Sequence, residues 1–151
     1  MKELVRQAKK NELECLTSSK AYQIWLRWLA PANWFFITGA ALFSLVAGAS
    51  LLVTQGFITS KSAGLLALIS GALTIIHTKL NCDNHQAECK RLKNNFKVLA
   101  LQYNNLKTVS DTDEYRKRLQ SLNEKRAALE ESIDAEPSTK SIEKARKLVI
   151  G

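Results

Sequence analysis

Two cysteines and a histidine are the residues whose types most suggest chemistry. Cys82, His85 and Cys89 carry thiols and an imidazole, which are the usual ligands of zinc. Zinc takes four such ligands close to one point, whereas this spacing spreads three side chains over about 10 Å of helix. We therefore expect ordinary packing residues here, with no metal site and no cofactor. The sequence also contains no phosphate-binding loop, nucleophile elbow or His-Glu metalloprotease pattern, so we expect no catalytic residues and no enzyme.

A second set of polar residues follows one face of an apolar helix. Ser70, Thr74 and His77 recur at helical spacing, and their hydroxyl and imidazole groups would be satisfied by a water-filled pore. Two helices cannot enclose water, so such a pore must be built by several copies of the chain. The alternative is that these residues bond to neighbouring helices or to their own backbone carbonyls. The sequence leaves both possibilities open.

These polar residues lie within a long uncharged block. The chain has 151 residues, with 22 Lys or Arg and 14 Asp or Glu, yet Lys61 is the only charged residue between Trp28 and Thr78. Within the block, residues 34–53 form an apolar stretch of about 30 Å and residues 62–78 form a shorter one. Their Leu, Ile, Val and Phe residues favour membrane insertion by roughly 3–6 and 2–4 kcal/mol.

A membrane hairpin is the simplest structure for this block. Residues 55–61 are expected to form a short turn between two transmembrane spans, and the whole hairpin occupies residues 28–79. Basic residues are concentrated on the terminal sides of the spans, which predicts that both termini are cytoplasmic. Three tryptophans near the first span suit an aromatic belt, and Pro31 is expected in the first turn of a new helix.

The net charge of +8 does not indicate a nucleic-acid binder. The excess lies in residues 1–27 and 79–107, next to the uncharged block, and aromatic residues are not interleaved with it. We therefore expect the lipid bilayer to be the main partner, and no nucleic acid as the primary ligand.

Small residues recur every four positions on each predicted span. Such stripes let helix backbones approach closely, which drives helix association in lipid. They are expected either to close the hairpin only, or to close it and also to join subunits. The residues are Ala40, Ser44 and Gly48 on the first span, and Ala63, Ala67 and Gly71 on the second.

The cytoplasmic sequence, residues 1–27 and 80–151, has apolar seams typical of packed helices. The second span is expected to continue as a long helix, which breaks near residues 108–112, where Ser110 or Asp111 can cap the next helix. Pro137 should end that helix, and Ser138 should cap a short C-terminal one. The first seam is Cys82, His85, Cys89, Leu92, Phe96, Leu99, Tyr103 and Leu106; the second is Tyr115, Leu119, Leu122, Arg126, Leu129 and Ile133. The predicted fold is thus an all-α membrane protein, in which a two-transmembrane helical hairpin carries long cytoplasmic helices that form a bundle or coiled coil.

This layout resembles the SLATT domain over about residues 1–135. The third helix opens with His85-x-Ala87-Glu88-x-x-Arg91-Leu92 and continues to Tyr103-x-x-Leu106. SLATT domains are two-transmembrane effector domains of bacterial nucleotide-signalling and reverse-transcriptase anti-phage conflict systems.

The resemblance implies a membrane effector of antiviral defence. Such an effector would form a homo-oligomer and permeabilise the bacterial inner membrane as a pore or channel, triggered by a separate sensor protein or by a signalling nucleotide. The alternative is a non-conducting adaptor, anchored in the membrane, whose cytoplasmic helical bundle recruits a partner.

Overall fold

The protein is built from helices. In the computed structural model, which describes residues 1–52, 59–79 and 81–151, every regular element is helical, so the predicted all-α class is confirmed. The elements are α1 (Lys2–Leu52), α2 (Ser60–Lys79), α3 (Cys82–Asn105), a 3-10 turn (Leu106–Thr108), α4 (Thr112–Glu131) and α5 (Thr139–Ile150). The chain forms two compact units: one is residues 1–27 with 87–151, and the other is residues 28–86.

Helix α1 runs through the position where a helix start was expected. Pro31 lies inside it, so the prediction that a new helix begins at Pro31 is wrong. Pro31 has no N–H to donate to the carbonyl of Arg27, four residues earlier, and the boundary between the two units falls directly after Arg27. The helix continues because Pro31 is exposed and is flanked by Ala30 and Ala32, which favour helix strongly.

The start of α2 differs slightly from the expected turn. Most of the predicted turn, residues 55–61, and the last residue of the first predicted span, Val53, lie outside the described residues. Ser60, however, already belongs to α2. The Thr59 hydroxyl accepts a hydrogen bond from the backbone N–H of Ser62 at 3.4 Å, which satisfies one of the donors at the start of α2.

The predicted continuation of the second span into a long cytoplasmic helix is wrong. Asn81 has a φ of 48° and separates α2 from α3. Its N–H bonds to the carbonyl of Thr78 at 3.2 Å, and its carbonyl accepts the N–H of His85 at 3.0 Å. Asparagine is one of the few residues that adopt this left-handed conformation readily, which explains why the chain turns here.

The predicted apolar seam of α3 is buried over most of its length. Cys82 and His85 are only half-buried, but every later seam position is buried, which confirms the heptad from there on. The buried positions are Cys89, Leu92, Phe96, Leu99, Tyr103 and Leu106. On α4 the buried seam positions are Tyr115, Leu119, Leu122 and Leu129.

The first part of α1 packs against these helices. The rings of Tyr22 and Phe96 stack with centroids 6.0 Å apart, and the Tyr22 hydroxyl donates to the carbonyl of Ala135 at 2.9 Å. Burial raises the pKa of Tyr22 to about 12. Ala21 and Ile24 of α1 form a buried cluster with Ala145 of α5.

Both predicted helix caps are present. Of the two candidates for α4, Asp111 is the cap: its carboxylate accepts the N–H of Asp113 at 3.2 Å. The Ser138 hydroxyl accepts the N–H of Ser141 at 3.3 Å and caps α5.

Arg126, which we placed in the second seam, is half-buried within a polar layer. Its guanidinium donates to carboxylates of Glu14 and Glu130, each at 2.7 Å. Burial lowers the pKa of Arg126, but the hydrogen bonds to Glu130 and Glu14 outweigh it, and the net shift is upward. The charge is therefore retained inside the unit, fully paired.

Candidate functional site

The two apolar helices pack as an antiparallel pair within residues 28–86. Two hydrogen bonds fix their register: the Ser70 hydroxyl donates to the carbonyl of Ala40 at 2.7 Å, and His77 Nε2 lies 2.7 Å from Asn33 Oδ1. Continuing this register places Ala47 opposite Ala63, and both are buried. The contacts thus repeat every seven residues on each helix, which is the spacing of a coiled-coil seam.

The small-residue stripes coincide with this seam only in part. Ala40 and Ala63 are buried in it, while Ser44 is exposed but its hydroxyl lies 3.0 Å from that of Ser70. A repeat of four residues drifts about 40° around a helix with each step, so the later members of a stripe leave the seam. Those members, Gly48, Ala67 and Gly71, are all exposed, and a Cβ added at either glycine would meet no atom within 4 Å.

A groove of about 340 Å³ runs along one side of the helix pair. All three predicted pore-lining residues, Ser70, Thr74 and His77, lie along it, opposite residues of α1 such as Ala41 and Ser44. The Thr74 hydroxyl donates to the Ser70 carbonyl at 3.0 Å. This is a bond to the backbone of its own helix, which was the alternative to a pore lining. Whether this face lines a pore stays a prediction.

The glycines extend this side of the hairpin. Gly48 lies seven residues after Ala41, and Gly71 lies three residues before Thr74, so each belongs to the face that its helix turns toward the groove. We call this side, with its small and polar residues, the small-residue groove. It is defined by Ala41, Ser44, Gly48, Ala67, Gly71 and Thr74, all of them exposed.

Large apolar side chains are exposed over much of the hairpin, including Trp34, which lies seven residues before Ala41 and therefore beside the small-residue groove. Trp34 is 69% exposed and Leu68 is 74% exposed. Both apolar helices are long enough to cross a membrane, and only 17% and 12% of their most apolar windows are buried. The core helix of a water-soluble protein would be mostly buried, so this exposed apolar surface needs a covering. The other large residues of this surface are Phe35, Leu42, Leu45, Leu65 and Ile75.

A polar cluster closes one end of the helix pair. Asn33, which is only 8% exposed, donates through Nδ2 to Asp83 Oδ1 at 2.7 Å and to Gln86 Oε1 at 3.3 Å. Its amide oxygen therefore faces His77, whose Nε2 must carry the proton in their hydrogen bond. His77 Nε2 also lies 3.8 Å from Asp83 Oδ2. One buried amide thus connects α1, α2 and the first turn of α3.

Sequence reasoning found His77 but missed Asn33. The available signal was that Asn33 is the one amide between Trp28 and Thr54, where an unpartnered amide would be costly. Its partners Asp83 and Gln86 lie outside the predicted spans, so periodicity within the spans could not reveal them.

The described part of the chain offers no metal site. Among residues 1–52, 59–79 and 81–151, no three His, Cys, Asp or Glu side chains are placed to hold a metal ion together. The candidate site is therefore one of packing and polar contacts on a hairpin. A search of protein-family models, curated proteins and solved structures gave no match to this chain.

Proposed function

We propose that this protein is a two-span membrane effector that assembles from several copies and permeabilises the bilayer. The observation that carries the proposal is the surface of the hairpin: large apolar side chains are exposed over much of it, and a groove with small and polar residues, which Phe36 and Ile37 also line, runs along one side. In a bilayer, the large apolar side chains suit contact with lipid tails, and small residues suit close approach of another helix.

The groove is also the place where a pore lining would be built. Thr74 is exposed along it and would face a lumen enclosed by several copies arranged with their grooves inward. Ser70 and His77 also lie along it, but they already bond to the Ala40 carbonyl and to Asn33, respectively. Self-association and permeation are thus assigned to the same face. The flanking basic residues support a cytoplasmic location for both termini under the positive-inside rule.

The resemblance to SLATT domains supports a more specific role. It suggests that the membrane is the bacterial inner membrane, that the context is anti-phage defence, and that a separate sensor protein or a signalling nucleotide supplies the trigger. The arrangement of helices and the motif from His85 to Leu106 carry this part of the proposal.

A non-conducting adaptor is the second candidate. The observation that favours it is an exposed apolar pair on α3, Val98 and Leu101, each about half exposed and three residues apart on one face. Such a patch on the charged unit suits recruitment of a partner protein.

Leakage from vesicles separates the two candidates. Purified protein reconstituted into dye-loaded liposomes should release the dye, and its mass in detergent should be that of an oligomer. Gly71→Leu adds a large side chain beside the small-residue groove at a position where a Cβ meets no atom within 4 Å, and it should reduce both leakage and assembly at least tenfold. Ala72→Leu is the matched control, because Ala72 is exposed directly opposite the seam and faces lipid in the proposed arrangement.

The outcomes are distinct. An oligomer that leaves vesicles tight under all conditions would favour the adaptor. Full leakage by Gly71→Leu, or equal loss in Gly71→Leu and Ala72→Leu, would contradict the assignment of assembly to the groove.

A further inference from the structure

Three lysines surround a surface groove in the unit formed by residues 1–27 and 87–151. Lys20 lies on α1, and Lys93 and Lys97 lie one turn apart on α3. The groove has a volume of about 470 Å³, and none of the described residues that line it is acidic. We call it the lysine groove; its other lining residues are Leu16, Ser19, Gln23, Asn94 and Val149.

The walls of the lysine groove are held in place by contacts beneath it. The Ser19 hydroxyl, which is buried, donates to the carbonyl of Lys93 at 2.9 Å. One turn further along each helix, the rings of Tyr22 and Phe96 stack. Lys20 and Lys93 are themselves half-buried. These contacts fix the helix backbone from which the three lysine side chains extend, and the side chain of Lys97 is exposed.

Among the described residues, none of the three ammonium groups forms an ion pair. Some basic residues of this unit are paired, as Arg91 is with Glu88 and Lys107 with Glu12, while others, such as the exposed Lys117 and Lys140, form no ion pair with a described residue. Across the described residues, no carboxylate lies within 4.0 Å of the ammonium group of Lys20, Lys93 or Lys97. Like charges one turn apart on a helix repel each other, so a bound anion would relieve this repulsion.

We infer that the lysine groove binds a phosphate-bearing anion with at least two negative charges. Lysine is a common ligand of phosphate as a point charge, and the amides of Gln23 and Asn94 add neutral hydrogen-bond donors. The volume is within the range of small-molecule sites. Leu16 and Val149 give the groove an apolar edge, which suits the organic part of a phosphate ester.

Pyrophosphate is a direct probe of this site. Isothermal titration of the full chain in neutral detergent should detect pyrophosphate binding, and the double variant Lys93→Gln/Lys97→Gln should weaken it at least tenfold. Lys20→Gln, on the opposite wall, should weaken it by a smaller factor of about three. Lys117→Gln/Lys140→Gln is the matched control: it removes two exposed lysines outside the groove and should change the affinity less than twofold.

A phospholipid headgroup and a soluble phosphate ester share this chemistry, so the lipid is varied in a second arm. The same titration is made in nanodiscs of phosphatidylcholine and in discs containing phosphatidylglycerol. Equal binding in both identifies a soluble ligand, whereas competition by phosphatidylglycerol identifies a headgroup.

Two results would overturn the inference: no pyrophosphate binding in detergent, or the same affinity for wild type and Lys93→Gln/Lys97→Gln with circular dichroism unchanged. The test measures binding only, so it is independent of the proposed function. Protein that bound pyrophosphate but left vesicles intact would retain the lysine groove and contradict permeabilisation.

Discussion

At the residue scale, the side-chain amide of Asn33 connects three helices through its hydrogen bonds. Both ends of its amide are used, with two acceptors on the nitrogen and one donor on the oxygen, and the partners come from α2 and from the first turn of α3. A buried polar residue of this kind specifies register, because any slip of the helices leaves it without partners. The cluster therefore holds the antiparallel pair together at the end where Asn33 of α1 meets His77 of α2.

Removing the Asn33 amide should destabilise the hairpin. Asn33→Ala leaves His77 and Asp83 without their buried partner, and we expect the free energy of unfolding in detergent to fall by about 1–3 kcal/mol. Asn84→Ala, at an exposed position of α3, is the control and should be close to neutral. Equal stability of the two variants in thermal unfolding would show that the cluster contributes nothing.

Cys15 gives a prediction for alkaline pH. Burial raises the pKa of its thiol from 9.0 to about 11, so between these values the folded chain keeps a proton that the unfolded chain has lost. The free energy of unfolding should therefore be unaffected by this group below pH 9 and should fall by about 2–3 kcal/mol as the pH rises to 11.

The slope of stability against pH measures this effect. Between pH 9 and 11, the free energy of unfolding of Cys15→Ala should fall less steeply with pH than that of wild type, whatever the absolute stability of the variant. Identical slopes in wild type and Cys15→Ala would rule out the thiol as the source.

At the scale of elements, periodicity and capping chemistry were sufficient for much of the fold. The heptad of α3 and the caps Asp111 and Ser138 depend on local sequence, and each is found as predicted. The two wrong predictions, a helix start at Pro31 and an unbroken helix through Asn81, concern positions where local sequence does not decide the backbone conformation. Proline inside a helix and left-handed asparagine are both exceptions to helix propensity, and tertiary context decides whether the chain continues or turns.

The backbone at Asn81 can be tested by substitution. Asn81→Ala places a Cβ-bearing residue without asparagine's local hydrogen bonding at a φ of 48°, which should cost about 1–2 kcal/mol in thermal unfolding. Asn81→Gly should be tolerated, because glycine adopts this conformation freely. If alanine were as stable as glycine here, α2 and α3 would not require a turn at this position.

At the scale of the whole molecule, the two compact units also differ in the kinds of side chain that they carry. Residues 28–86 expose large apolar side chains, while the unit of residues 1–27 and 87–151 contains nearly all the ion pairs. Charge exclusion in the sequence was enough to locate the apolar block. The site within it was only partly predictable. The predicted stripes repeat every four residues, whereas the contacts between α1 and α2 repeat every seven. The two patterns share Ala40 and Ala63, and the later stripe residues then lie away from the seam.

We propose that the hairpin within residues 28–79 resides in a lipid bilayer, and membrane partitioning of the full chain is the decisive measurement. Cells expressing the protein are broken, and their membranes are washed with alkaline sodium carbonate, which removes peripheral proteins but not inserted helices. We expect the chain to stay in the washed membrane pellet and to be released only by detergent. Recovery of the chain in the carbonate supernatant as a folded monomer would contradict it.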